Sequence, residues 1–199
     1  MLTLIILAAG KSTRMHGVNK LLAKVGGIPM IRRVLQAALE SKVDEVIVVL
    51  GFEANKIRKE IENLPCRIVI NKEYEKGQSS SLIVGMKAIK SSTHAVLILP
   101  ADIARIDTQS INLVATSYNK EDGSIVCAAH NGRLGHPILL SKAVFDEIMM
   151  ITEETSGLKS LVMKHRNELR LVETGNENIL TDVDTPDELR RLDSPSHEN

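Results

Sequence analysis

The sequence predicts an α/β protein: one three-layer α/β/α domain on a mostly parallel sheet, with a short antiparallel addition after residue 130. Apolar-rich runs bounded by turn residues recur at Leu4–Leu7, Val43–Leu50, Arg67–Ile70, Ala95–Leu99 and Ile125–Ala129. Such runs are what strands buried on both faces of a parallel sheet look like. The segments between them carry apolar residues at helical spacing, as Met30, Ile31, Val34, Leu35, Ala38 and Leu39 do. Strand and helix alternate in this way to about residue 130, which argues right-handed crossovers with helices on both faces.

The first strand stops at Ala8-Ala9-Gly10. Gly26-Gly27 makes a turn, and Pro29 opens the first helix at the position proline favours. Val43–Leu50 ends at Gly51. A helix over Glu53–Asn63 follows, with Ile57, Ile61 and Leu64 on one face and a charged opposite face. Arg67–Ile70 ends at Asn71. Ser79–Lys90 is helical, Ala95–Leu99 is the next strand, Thr108–Tyr118 is helical, and Ile125–Ala129 returns as a strand. After residue 130 the rhythm changes. Asn131–Gly135 is a turn, Pro137–Leu140 a short strand of possible antiparallel sense, Lys142–Ile151 and Gly157–His165 are helices, and Leu169–Val172 is a strand. Thr185-Pro186-Asp187-Glu188 fits a helix N-terminus, with Pro at the first position and Glu closing a capping box. That helix ends near Leu192. Residues 1–192 form the domain, and 193–199 (DSPSHEN) read as a disordered polar tail.

A chain of 199 residues with 43% hydrophobic and 25% charged composition is ordinary for one globular domain. The formal net charge is zero, so no whole-molecule field draws it to nucleic acid or an anionic membrane, and any anion site is local. Aromatics make up 2% and Trp is absent, which argues against stacking platforms for single strands. Cys66 and Cys127 sit apart in strand-like runs, without disulfide or metal spacing, and read as buried inert thiols. There is no signal peptide and no apolar run near the ~20 residues that span a bilayer. A reducing cytoplasm is the default location.

The chemistry concentrates in Leu4–Leu22, LIILAAGKSTRMHGVNKLL. Small residues directly after a buried first strand let the backbone turn and let a ligand approach it. Lys11, Arg14 and Lys20 follow on the same loop. Together these suggest a cradle for a polyanion, most simply a nucleoside triphosphate; the alternative is a glycine turn with solvated cations. The two familiar phosphate motifs fail. A P-loop needs glycine at position 5, which is Ile5, and the dinucleotide fingerprint fails at Ser12 and Met15.

Asp102, in Leu99-Pro100-Ala101-Asp102, lies just past the end of a buried strand, where ligands bind in open α/β sheets. Magnesium takes hard oxygen ligands and keeps most of its waters, so one or two carboxylates suffice; a turn aspartate is the alternative. Asp182 and Asp184 alternate onto one side of an extended segment, and Asp184 abuts the helix cap. Gly77-Gln78-Ser79-Ser80-Ser81-Leu82, preceded by Asn71, presents hydroxyls that either cap a helix or read a nucleobase edge. His16, His94, His130, His165 and His197 form no ligand spacing.

LAAGKSTRM followed by Lys20 resembles the signature of nucleotidyltransferases with a glycosyltransferase-A-type fold, a Rossmann-like sheet of the nucleotide-diphospho-sugar transferase type. The nearest branch is that of the molybdenum cofactor cytidylyltransferases and guanylyltransferases. The resemblance runs from Leu4 to about Leu189 and implies a set of roles. Arg14 and Lys20 neutralise phosphates as the catalytic cations. Leu7, Ala8, Ala9, Gly10, Lys11 and Lys20 line the nucleotide site, with Asn71, Gly77, Ser79, Ser80 and Ser81 toward base and ribose. Asp102 and Asp184 hold Mg2+, and Asp182 either supports that site or is merely solvated. Gly135, His136, Pro137 and Lys159 lie on the acceptor side. One stretch departs from the pattern. Where that branch has Gly-Asp-x-Gly-Ala-Arg, this chain reads Glu154-Thr155-Ser156-Gly157-Leu158-Lys159, which puts the acceptor in question.

The implied reaction is transfer of a nucleoside monophosphate to a phosphorylated acceptor with release of pyrophosphate. Cytidylyl members of the family this chain resembles tend to read Leu-Ala-Ala-Gly, as here, and the serine segment agrees, so the resemblance implies CTP over GTP and a molybdopterin-type acceptor. A sugar phosphate acceptor, or nucleotide binding without turnover, are the alternatives.

Overall fold

A computed structural model describes residues 1–15, 17–118 and 124–193. His16, His197 and residues 194–199 of the expected tail lie outside the described residues. The strands are β1 Leu2–Ala8, β2 Lys24–Val25, β3 Ile28–Pro29, β4 Glu45–Leu50, β5 Arg67–Ile70, β6 Ala95–Pro100, β7 Ile125–His130, β8 Arg133–Ser141 and β9 Leu169–Glu173. The helices are α1 Met30–Leu39, α2 Ala54–Ile61, α3 Gln78–Ala88, α4 Thr108–Ser117, α5 Phe145–Ile148, α6 Gly157–Lys164 and α7 Pro186–Asp193. Seven strands form the main sheet in the order β5-β4-β1-β6-β8-β7-β9, and β2 pairs with β3 in a small antiparallel ribbon.

β1 sits inside the parallel half, paired with β4 on one side and β6 on the other. Its alternating side chains explain why the run reads as wholly apolar. Leu4 and Ile6 join the core against α1, α2 and α4, where Ile31, Leu35, Ile57, Ile61, Ile111 and Val114 pack. Ile5 and Leu7 join the opposite core against α3, α5 and α6, where Leu82, Met86, Ile148, Leu161 and Val162 pack. Each such fully buried side chain contributes about 1.5–3 kcal/mol. The chain leaves β1 toward β4 and arrives at β6 from the other face. A crevice therefore opens beyond the carboxyl ends of β1 and β6, the usual ligand position in such sheets.

The structure corrects three expectations. The strand placed at Pro137–Leu140 is β8, nine residues long, and it pairs antiparallel with both β6 and β7. The turn before it is only Asn131-Gly132, both at positive φ, so pairing begins at Arg133. The helix expected over Lys142–Ile151 is a 3-10 turn at Lys142–Val144 and the single turn α5; Val144, Ile148 and Ile151 pack in one core although the helix stops before Ile151. Of the two thiols only Cys127 is buried; Cys66 is half-buried, since it precedes the edge strand β5. Among the described residues, no helix is long and apolar enough to cross a membrane.

Gly85 lies in the middle of α3, where glycine is costly. Contact explains it: an added Cβ would lie 2.7 Å from Ile5 Cγ2 and 3.1 Å from Val49 Cγ2. Helix propensity favours Gly85→Ala by about 1 kcal/mol, while overpacking against β-branched side chains costs about 1–3 kcal/mol. The overpacking should win. Urea melts should show Gly85→Ala less stable by up to about 2 kcal/mol with an unchanged slope; a more stable variant would show that α3 can lift off the sheet freely.

Candidate active site

The loop after β1 is shaped by its own short-range bonds. Ser12 takes a left-handed backbone (φ 52°), and its hydroxyl accepts from the Lys20 amide at 3.2 Å. Asn19 caps the following turn by accepting from the Leu21 amide at 3.1 Å. Met15 and Leu21 are buried and anchor the two ends. The loop therefore presents Lys20 inward, with its side chain 12% exposed, and leaves Arg14 outward.

Three distant stretches meet at Lys20. Its Nζ donates to Asp102 Oδ2 at 2.7 Å and to Asp184 Oδ1 at 2.8 Å. Arg14 pairs with the other oxygen of Asp184. Backbone bonds hold the acidic residues in place. The Ala101 amide donates to the Leu7 carbonyl at 3.0 Å, and the Val183 amide donates to the Asp102 carbonyl at 3.1 Å, stitching the two acidic segments together. Glu188 closes the expected capping box: its carboxylate accepts from the Asp184 and Thr185 amides at 2.8 Å each, and Thr185 Oγ1 accepts from the Glu188 amide at 3.3 Å.

The electrostatics follow from this geometry. Burial works against the Lys20 charge, yet the Asp102 and Asp184 carboxylates raise its pKa overall. The Lys20 hydrogen bond lowers the Asp184 pKa against the opposing effect of burial, and Arg14 adds to the lowering. Asp102 Oδ1 is buried and has no hydrogen-bond partner among the described residues. Two carboxylates facing one cation, one of them with an unpaired oxygen, are a donor set that fits a hard divalent ion. Among the described residues no group of three or more His, Cys, Asp or Glu gathers as a metal cluster. Two protein ligands are what magnesium commonly takes.

Two cavities meet at Asp102, and Leu7, Gln78 and Pro100 also line both. The smaller, about 360 Å³, is lined by Ala8, Ala9, Gly10, Lys11, Arg14, Lys20, Gly77, Ser81 and Asp184. The larger, about 590 Å³, is lined by Ser79, Gly135, His136, Lys159, Glu153 and Asp182 among others. Pro137, Asn71 and Ser80 line neither. Asn71 Nδ2 instead donates to Ser80 Oγ at 2.8 Å and Ser81 Oγ at 3.0 Å, and Ser80 Oγ donates to the Gly77 carbonyl at 2.8 Å. Asn71 and Ser80 thus build the entry to α3.

Glu153 was not singled out by sequence. Its Oε1 accepts from the Ser79 amide at 2.6 Å, at the start of α3. Gly77, at φ +94°, has no room for a side chain there: an added Cβ would lie 2.3 Å from Glu153 Cγ. Its only sequence signal is adjacency to the stretch where an Asp is missing. Gln78 and Tyr74, both lining the smaller cavity, were also unmarked. Burial pushes the Cys127 thiol up to about 12, so it is an inert part of the larger cavity's wall.

The MobA-like NTP transferase domain model matches residues 4–169. The nicotine blue oxidoreductase of Paenarthrobacter nicotinovorans is 24% identical over 195 residues, covering 94% of each chain. The molybdenum cofactor cytidylyltransferase of Escherichia coli (strain K12) is 26% identical over 188 residues, covering 92% of this chain and 91% of its own. The crystal structure of Rv0371c from Mycobacterium tuberculosis H37Rv superposes with a TM-score of 0.85 at 23% identity, covering 96% of each chain. A further structure of Rv0371c, in complex with manganese, superposes at 0.81 with 21% identity, over 96% of this chain and 97% of that one.

Asp184 yields a pH signature. Folding favours its carboxylate, so its contribution to stability is complete above the unfolded value near 3.8 and is lost as pH falls through the lower folded value. In chelator, the Tm of the natural protein should fall more steeply than that of Asp184→Asn over this acid range. Parallel curves would mean that the Lys20–Asp184 pair does not persist in solution.

Proposed function

The chain belongs to the MobA-like NTP transferase family, and from that premise we propose that it transfers a nucleoside monophosphate from a nucleoside triphosphate to a phosphorylated acceptor. CTP is favoured over GTP, the acceptor is of the molybdopterin type, and pyrophosphate leaves. Residues 1–192 act as one nucleotidyltransferase domain. The observation that carries the reading is Lys20 Nζ held between Asp102 and Asp184 where the two cavities meet. The similarity to the cytidylyltransferase over most of both chains supports the cytidylyl choice.

In this reading the triphosphate lies in the smaller cavity against Ala8–Lys11, and the acceptor lies in the larger. An acceptor phosphate oxygen attacks the α-phosphorus, a P–O bond forms, and the bond to pyrophosphate breaks. The nucleophile is already ionised, because a phosphate ester has a second pKa near 6, so no general base is needed. Catalysis is positioning and charge stabilisation. Lys20 shifts its hydrogen bonds from the carboxylates to phosphate oxygens, and Arg14 meets charge growing on the leaving group. Asp102 and Asp184 would hold magnesium, which when bound supplies charge neutralisation to the triphosphate.

One observation favours a second reading, that of an oxidoreductase: the relative named nicotine blue oxidoreductase matches 94% of both chains. Pyrophosphate release with CTP, GTP, ATP and UTP, beside absorbance assays for reduced nicotinamide cofactors, separates the two. Pyrophosphate that requires both magnesium and a phosphorylated acceptor is expected, with CTP the preferred donor. Asp102→Ala should remain folded and lose about 10²–10³-fold in turnover, the scale of deleting one charge-stabilising contact. Undiminished turnover in that variant would remove Asp102 from the metal site. A sugar phosphate serving as acceptor would redirect the substrate, and thermal stabilisation by CTP without pyrophosphate would mark a binding protein.

A further inference from the structure

Each cation of the loop after β1 faces a carboxylate. Lys20 pairs with Asp102 and Asp184, and Arg14 with Asp184, the residues proposed to hold magnesium. Lys11 pairs elsewhere. Its Nζ lies 2.6 Å from Glu75 Oε1 and stands over the ring of Tyr74, 5.9 Å from the centroid. Tyr74 and Glu75 belong to the 3-10 turn Tyr74–Lys76 that leads into α3. Nothing in the transfer reaction uses either residue, yet Tyr74 lines the smaller cavity together with Ala8, Ala9 and Gly10.

The Tyr74 ring is set in place by its surroundings. Gly51, directly after β4, has no room for a side chain: an added Cβ would lie 2.6 Å from Tyr74 Cβ and 2.8 Å from Ala9 Cβ. The stem of Tyr74 is thus pressed between the end of β4 and the loop after β1. The Phe52 amide donates to the Ala9 carbonyl at 3.2 Å. Its ring centroid stands 6.3 Å from that of Tyr74 with the planes tilted by 60°, within the arrangements aromatic pairs favour. The chain has only two Phe and two Tyr, so half of its aromatic side chains meet at this one wall. The Gly77 amide, donating to the Tyr74 carbonyl at 3.2 Å, closes the turn beneath the ring.

The place of Lys11 is the one a cation takes against a ring face. It is also the place a flat base would take against Tyr74. The Lys11–Glu75 pair is exposed, at 44% and 65% of its side chains, and such pairs are weakly held. A triphosphate brings more negative charge than one carboxylate, so it draws Lys11 off Glu75 and clears the ring.

We propose that Tyr74 is the platform on which the nucleobase of the bound triphosphate stacks, with Lys11 its cover in the protein alone. Every nucleobase has a π-face, so the stack adds affinity without choosing among bases. The proposal rests on the reading of the smaller cavity as the triphosphate site.

Tripolyphosphate carries the charge of a triphosphate chain and no base. Tyr118 lines neither cavity, and in Tyr118→Phe the one remaining tyrosine is Tyr74. With magnesium, CTP should move the ring-proton signals of Tyr74 upfield, and tripolyphosphate should not. Tyr74→Leu should bind CTP about 5- to 150-fold more weakly, the worth of one stacked base, with tripolyphosphate unaffected. Tyr74→Phe, which keeps the ring, should bind CTP as the natural protein does. Glu75→Gln, which frees Lys11, should bind tripolyphosphate more tightly; unchanged or weaker binding would overturn the cover. If Tyr74→Leu fails to fold, the ring signals decide alone. Unmoved ring signals with CTP bound, or equal losses of CTP and tripolyphosphate in Tyr74→Leu, would overturn the platform and leave nucleotidyl transfer standing. Upfield shifts without pyrophosphate release from any acceptor would sink the transfer reading and leave the platform standing. Binding of no nucleoside triphosphate would sink both.

Discussion

The ammonium of Lys20 between Asp102 and Asp184 is the contact around which this molecule is arranged. It joins residues separated by 82 and 164 positions in the chain. Carboxylates this close repel unless a cation lies between them. Lys20 supplies that cation in the protein alone, and a divalent ion and a phosphate chain would supply and consume it in turn. The rest of the site supports this contact: the Ser12 and Asn19 bonds aim Lys20, and the capping box on α7 fixes Asp184.

The parallel half of the fold was legible because its signal is local. β1, β4 and β6 are buried on both faces, so their runs are continuous, and the helices between them carry one apolar stripe each. The half after residue 130 was read less well, for physical reasons. β8 contains Gly135, His136 and Pro137, residues that interrupt a strand pattern, yet it is held on both sides by β6 and β7. Nothing in its own composition announces that it lies between two strands that precede it. α5 stops after one turn although Ile151 beyond it packs in the same core as Val144 and Ile148, so apolar spacing did not mark where the helix ends.

In the site, the residues at strand ends and caps were visible from sequence, and those acting through packing were not. The serine segment divides by function in a way its spelling conceals. Ser80 and Ser81 are tied to Asn71, whereas the Ser79 hydroxyl is buried without a hydrogen-bond partner among the described residues. Glu153 carries no motif at all. It is found only because α3 begins where the segment before α6 passes.

The bond from the Val183 amide to the Asp102 carbonyl uses main-chain atoms alone. The two acidic segments are thus joined by a link that depends on neither side chain, while Lys20 sets where the carboxylates themselves sit. A change of side chain at either place therefore alters what is offered to Lys20 and leaves this main-chain link standing.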